Sequence, residues 1–214
     1  MQQFPNTKQL AQNSLAAVLT AWQGLGYNRR AKLLHECAKV VHTEYQGRWP
    51  RSVQELEKLP GIGPYTASAI VAFAYNQPAV CIETNIRTAV IYHYFPNDTE
   101  VSEVAIREVV VATLDTKQPR EWYWALMDYG AYLKRTRGNL NRQAKSYTKQ
   151  SRFAGSDREI RGAIIRLLTT QPVVSLQQLV RAGLSKKRVQ EQLRALNKEG
   201  FIELIKNDSY QLRS

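Results

Sequence analysis

A mainly α-helical chain, ending in a small winged-helix domain, is the fold class predicted by three features of the sequence. Apolar residues up to about position 133 recur at the three- and four-residue spacing of helices, with no period-two stretch. Leu59-Pro60-Gly61-Ile62-Gly63-Pro64 breaks that pattern with a tight hairpin between two short helices. Near the end, Phe201-Ile202-Glu203-Leu204-Ile205 and Ser209-Tyr210-Gln211-Leu212 alternate across a turn at Lys206-Asn207-Asp208, after three helical segments. The expected division is a helical domain over 1–133, a basic linker over 134–156 and a winged helix over 157–214.

Taken in order, Asn6 or Thr7 caps a short first helix. Asn13-Ser14 opens a second, carrying Leu15, Val18, Leu19 and Trp22. Gly24-Leu25-Gly26 ends it. Asn28 caps a third, with Leu33, Leu34, Cys37, Val40 and Val41 on one stripe. Ser52 and Glu55 have capping-box spacing, so a helix starts there and runs to about Lys58. Pro64 suits the first turn of the next, which buries Ala67, Ile70, Val71 and Ala74 and stops at Asn76-Gln77-Pro78. Further helices start near Asn85 (Ala89, Val90, Tyr92, Tyr94), Ser102 (Val104, Ile106, Val109, Val110, Leu114) and Pro119 (Trp122, Trp124, Leu126, Met127). Beyond the linker, Asp157, Ser175 and Ser185 each cap a helix, the last ending at Gly200.

Charge is distributed unevenly. The 214 residues carry a net +12, yet residues 1–130 hold twelve basic and twelve acidic side chains. The whole excess lies beyond them, and residues 131–156 contain seven cations and no acid. Such a block is either a solvated tail or a strip facing a phosphate backbone. No apolar run is long enough to span a membrane, and Met1-Gln2-Gln3-Phe4-Pro5 does not resemble a secretion signal. Cys37 and Cys81 sit in apolar settings, which fits two inert thiols in a reducing cytoplasm.

The hairpin has chemical meaning. Gly-Ile-Gly before a helix start brings bare backbone N–H groups to the surface, which suits an anion such as phosphate. An ordinary helix corner with glycines for packing is the alternative. Arg29, Arg30 and Lys32 crowd another helix start, where cations oppose the macrodipole; they are either solvated or compensated by an anion. Tyr27, at the same turn, is either core or a wedge touching bases.

Leu59-Pro60-Gly61-Ile62-Gly63-Pro64-Tyr65-Thr66-Ala67 resembles the helix-hairpin-helix of the DNA glycosylase superfamily that includes endonuclease III and the MutY-like adenine glycosylases. Ile82-Glu83-Thr84-Asn85-Ile86-Arg87 is similar to the segment holding that superfamily's catalytic aspartate, with Glu83 in its place. Trp22-Gln23-Gly24-Leu25-Gly26-Tyr27-Asn28-Arg29-Arg30-Ala31 and Met127-Asp128-Tyr129-Gly130-Ala131 resemble two further MutY-like runs. The four motifs stand in order across residues 4 to about 135. The first domain is thereby expected to be a glycosylase domain of the superfamily, shortened at its N-terminus. The resemblance places about two helices ahead of this start, holding the glutamate that protonates adenine and a glutamine wedge. Neither has a counterpart here, and a fragment, a mis-started frame and a degenerate enzyme all stay open.

The implied activity is hydrolysis of the N-glycosidic bond of a flipped-out mispaired base, adenine opposite guanine or oxidised guanine. Base removal leaves an oxocarbenium-like sugar, which a carboxylate stabilises; Glu83 is that candidate, with helix capping as its plain alternative. Tyr65 stands where lyase relatives carry a lysine. A phenol forms no Schiff base, so hydrolysis without strand cleavage is expected. Asn85 matches the active-site asparagine or caps its helix. The DNA-binding candidates are Tyr27, Arg29, Arg30, Leu59, Gly61, Ile62, Gly63, Thr66, Lys134, Arg135, and Lys186, Lys187 and Arg188 at the start of the winged helix's third helix, for which docking of a protein is the alternative.

Most relatives hold an iron–sulfur cluster near Lys134. No cysteine follows Cys81, so no cofactor is expected, and the cationic stretch is read as replacing the cluster loop's DNA contact. The expected partner is double-stranded DNA with a mispair, bound by a cytoplasmic, nucleoid-associated monomer. The rivals are a silent DNA-binding or regulatory module and a thymine-mismatch glycosylase.

Overall fold

The computed structural model of the protein describes residues 3–181, 185–206 and 208–213. Eleven helices are defined among them: α1 (Thr7–Gln12), α2 (Leu15–Ala21), α3 (Asn28–Thr43), α4 (Val53–Leu56), α5 (Pro64–Phe73), α6 (Thr84–Tyr94), α7 (Glu103–Thr113), α8 (Pro119–Arg137), α9 (Asp157–Thr170), α10 (Leu176–Arg181) and α11 (Lys186–Lys198). Three short strands complete the set: β1 (Val174–Ser175), β2 (Ile202–Leu204) and β3 (Ser209–Leu212).

The chain divides into two compact units, and not at the expected boundaries. Residues 1–49 join 150–214 in one unit, and 50–149 form the other. The cause is hydrophobic. Leu15, Val18, Leu19 and Ala31 share a core with Ile160, Ile164, Leu168, Leu193 and Phe201, so the first helices bury their stripe against the last ones. A second core joins Ile86, Ile91, Ile106, Val110 and Tyr123 within residues 50–149.

In the first unit Asn6 and Ser14 cap α1 and α2 by accepting the Gln9 and Ala17 amides at 2.9 and 3.1 Å. Asn28 is the first residue of α3 rather than its cap. Tyr27 holds that position in left-handed backbone (φ 51°) without a capping side-chain bond. The buried stripe of α3 is Ala31, His35, Cys37, Ala38 and Val41, whereas Leu34 is exposed. Further on, Ser156 precedes α9 at the cap position and Asp157 is its first residue, and neither Ser156 nor Ser185 makes a capping side-chain bond. Ser175 and Gln178 do form a reciprocal box: the Gln178 amide donates to Ser175 Oγ, and the Ser175 amide to Gln178 Oε1. The sheet has the antiparallel order β1-β3-β2, with Ile202 opposite Leu212 and Val174 opposite Tyr210. Strand β1 was not foreseen, because two residues are too short for an alternation signal. Of the expected turn, Asn207 lies outside the described residues.

In the second unit Ser52 accepts the Glu55 amide at 3.2 Å to start α4, and Pro64 opens α5. Ser102 caps α7 by accepting the Ala105 amide. Helix α8 runs on through Arg137, so Lys134, Arg135 and Arg137 are helical and not part of a linker. Leu133, still on the buried stripe, carries the helix past the expected end, and Gly138 (φ 83°) stops it. The chain beyond is also built in. Asn141 is buried, and residues 101 and 144 form a bridge in which the Lys145 amide donates to the Val101 carbonyl at 3.0 Å.

Candidate active site and nucleic-acid surface

The hairpin between α4 and α5 has the backbone expected for anion binding. Gly61 takes a positive φ of 76°, and Gly63 supplies no side chain to cap α5. The amides of Gly61, Gly63, Tyr65 and Thr66 form no hydrogen bond within the described residues. Gly61, Gly63, Tyr65 and Thr66 are also exposed, and Ile62 is half-buried. Four bare donors at the start of a ten-residue helix make an electropositive spot. Leu59 differs from expectation. Its side chain is buried, its amide donates to Leu56 and its carbonyl accepts from Ile62, so it is a core anchor for the turn and not a surface contact.

Glu83 caps α6. One carboxylate oxygen accepts the Asn85 and Ile86 amides at 2.6 and 2.9 Å, and the other accepts the Thr84 hydroxyl at 2.9 Å. Asn85 is therefore the second helical residue and not the cap. Glu83 is nonetheless half-exposed. Burial pushes the Tyr65 hydroxyl up first, and nearby Cys81 and Glu83 push it further. Tyr65 keeps 46% of its surface exposed, so solvent reaches the phenol.

Two supports of this site escaped the sequence reading. Tyr123 is fully buried; its hydroxyl donates to the Ala79 carbonyl at 2.8 Å and accepts the Cys81 amide at 2.9 Å. It thereby fixes the extended segment that delivers Glu83. The expected inward residue, Trp124, is 53% exposed instead. The series Pro119, Tyr123, Gly130, Leu133 has helical spacing and held the signal. Asn141 Nδ2 donates to the Thr84 carbonyl at 3.1 Å and to Thr88 Oγ1 at 2.8 Å, tying the basic stretch to the first turn of α6. Nothing in composition or spacing marks that residue. Gly130 acts by lacking a side chain: a Cβ there would lie 2.0 Å from the Asn85 carbonyl oxygen.

The remaining candidates fall in two groups. Lys134 and Arg135 are exposed in the last turn of α8, where cations complement the helix dipole. In the other unit Tyr27 is 61% exposed, and its hydroxyl accepts from Gln150 Nε2 at 2.7 Å. Arg30 lies 5.3 Å from the Tyr27 ring and 5.6 Å from that of Trp22; Arg29 is exposed beside it. Lys186 and Lys187 are exposed, but Arg188 is engaged. Its guanidinium donates to the Gly155 carbonyl and forms an ion pair with Asp157 at 2.6 Å, so it is an internal tie and not a free reader of DNA.

Among the described residues no group of three or more His, Cys, Asp or Glu could hold a metal ion. The two cysteines are free and buried, one in each unit, so they do not provide a four-thiolate set. No described helix is long and apolar enough to cross a membrane.

A helix-hairpin-helix family model matches residues 44–73. The adenine DNA glycosylase of Mycolicibacterium smegmatis is 34% identical over 196 residues, covering 83% of this chain and 67% of that protein. Among solved structures, a thermostable thymine-DNA glycosylase superposes with a TM-score of 0.52 at 26% identity, covering 60% of this chain and 61% of that one. An endonuclease III bound non-covalently to DNA gives 0.53 at 19% identity over 61% of each chain, a likeness of fold alone. The chain spans about two thirds of the length of the first of these relatives and less of the solved structures. With a hairpin and a capped carboxylate in the order expected, and with this identity over most of its length, the chain belongs to the adenine DNA glycosylase family of helix-hairpin-helix proteins.

Proposed function

We propose that the protein is a monofunctional base-excision DNA glycosylase that hydrolyses the N-glycosidic bond of a flipped-out mispaired base, adenine opposite guanine or oxidised guanine. The observation that carries this reading is that one unit holds the fixed, half-exposed Glu83 carboxylate, the exposed Tyr65 phenol and the bare amides of the hairpin. Phosphate on those amides fixes the strand, and the extruded nucleotide meets the phenol and carboxylate. Glu83, held by two amides and a hydroxyl, supplies a fixed negative charge beneath the developing oxocarbenium sugar. Tyr65 borders the base and forms no Schiff base, so the strand stays intact.

The exposed cations Lys134, Arg135, Lys186 and Lys187 are read as duplex contacts, the last two at the start of a winged-helix third helix. No cluster serves the fold in this reading; the basic stretch, docked through Asn141, takes that loop's place. The protein acts as a monomer on mispaired duplex DNA at the nucleoid.

Two observations favour other readings. The Glu83 carboxylate is engaged as a cap, which suits a DNA-binding module without catalysis. The likeness to a thymine-DNA glycosylase at 26% identity suits thymine opposite guanine. Single-turnover base release from duplexes with A opposite oxidised guanine, A opposite G, and T opposite G separates all three. The first two substrates are expected to lose adenine, without a borohydride-trapped adduct. Release of thymine alone would shift the substrate, and duplex binding without release would leave the silent module.

A further inference from the structure

Helices α6 and α8 carry a row of aromatic rings that the proposed excision does not use. His93 and Tyr129 lie nearly parallel at 5.6 Å between centroids, joined by a 2.8 Å hydrogen bond between His93 Nε2 and the Tyr129 hydroxyl. Tyr129 and Tyr132 continue the row at 6.4 Å with an interplanar angle of 17°, and Tyr92 meets the edge of His93 at 4.9 Å. Cations stand at both ends: the Arg135 guanidinium is 5.9 Å from the Tyr132 ring, and that of Arg137 is 6.0 Å from Tyr92. Beside Tyr92 and Arg137 the surface opens into a cleft of about 280 Å³, walled by Ile91, Pro96 and Leu140.

Buried aromatic rows are ordinary core. Here Tyr132 keeps 51% of its surface exposed, and His93 and Arg135 are exposed as well. The charges point to one class of partner. From Ala125 to Arg137 there are three cations and one carboxylate, Asp128, and α6 contains no acid. Exposed rings interleaved with guanidinium groups match the chemistry of an unpaired nucleic-acid strand, whose bases offer π-faces and whose phosphates offer charge.

We propose that this face of α6 and α8 binds an unpaired nucleic-acid strand, with bases stacked on Tyr132 and its neighbours and phosphates met by Arg135 and Arg137. The site shares Arg135 with the proposed duplex contacts, but its aromatic rings take no part in the glycosylase reading and it does not depend on Glu83. The test uses the full chain and fluorescence anisotropy with three labelled probes: a deoxythymidine decamer, a decamer of the same backbone with abasic sites throughout, and a blunt duplex. The thymidine strand is expected to bind more tightly than the abasic one. Tyr132→Ala should weaken the thymidine strand about tenfold or more, the usual loss of one stacked base, and leave duplex affinity unchanged. Tyr132→Phe should behave as the parent chain. Equal binding of thymidine and abasic strands would overturn the proposal by reducing the face to charge alone. An unaltered Tyr132→Ala, or one that loses duplex binding equally, would overturn it too.

Discussion

Replacing Tyr123 by phenylalanine isolates what holds Glu83 in place. The ring would remain, with its contact to Phe73 at 5.8 Å between centroids, so little volume is lost. What disappears is one oxygen that serves both the Ala79 carbonyl and the Cys81 amide, in a position closed to solvent. Left without a partner, the buried Cys81 amide costs about 1–3 kcal/mol and the part-buried Ala79 carbonyl less, so the expected destabilisation is about 1–4 kcal/mol. Hydrogen exchange is the suitable assay, because it reads the second unit separately from the first. The Cys81 amide should lose protection about tenfold for every 1.4 kcal/mol, while amides of α9 and α11 in the other unit keep theirs. Because the segment leads to Glu83, base release should slow with duplex affinity retained. A change in protection worth less than about 0.5 kcal/mol would refute the reasoning, since surface substitutions alone do that much.

Other outcomes follow from the same geometry. Gly130→Ala should destabilise the second unit by about 1–3 kcal/mol, the range for overpacking, because its Cβ would collide with the Asn85 carbonyl; an unchanged urea midpoint would contradict this. Burial pushes the thiol of Cys37 up to about 11 and that of Cys81 up to about 12, so neither should react with an alkylating reagent near neutral pH until the chain unfolds. Rapid stoichiometric labelling of the native protein would refute that. For Glu103 burial pushes the carboxyl up, but hydrogen bonds from Arg87 and Ser146, with the Arg87 charge, outweigh it and leave the value lowered. Its stabilising contribution is therefore present above the unfolded carboxylate range and lost as pH falls through the lowered value. Glu103→Gln should flatten the acid limb of melting temperature against pH, and an unaltered limb would remove this ion pair from the account.

The parts of this molecule that obey local rules were legible in its residues. Capping by Asn6, Ser14 and Ser52, the helix start near Ser102, the proline start of α5 and the glycine bend before it need only a few neighbouring residues, and the structure has each of them. Glu83 illustrates the limit. Its two readings, catalytic carboxylate and helix cap, were both visible, and the folded chain realises the cap while keeping the group half-exposed.

What failed was long-range. No local pattern says that Leu15 and Leu19 will share a core with Ile164 and Leu193, so the units were divided in the wrong places. The basic run from Lys134 resembled a linker because charge dominates its composition. Leu133 and Asn141, one apolar and one buried polar residue, decide that much of it is built into the second unit. Position alone points Arg188 toward DNA, whereas the Asp157 carboxylate at the start of α9 engages it.

Single-turnover base release by Glu83→Gln, set against the parent chain on a duplex with adenine opposite oxidised guanine, tests the central claim most directly. The substitution removes the negative charge and leaves an amide oxygen able to cap α6. The account predicts adenine release by the parent chain and loss of release by at least about a hundredfold in the variant, with fold and duplex affinity kept. Equal rates would show that the carboxylate takes no part in breaking the bond.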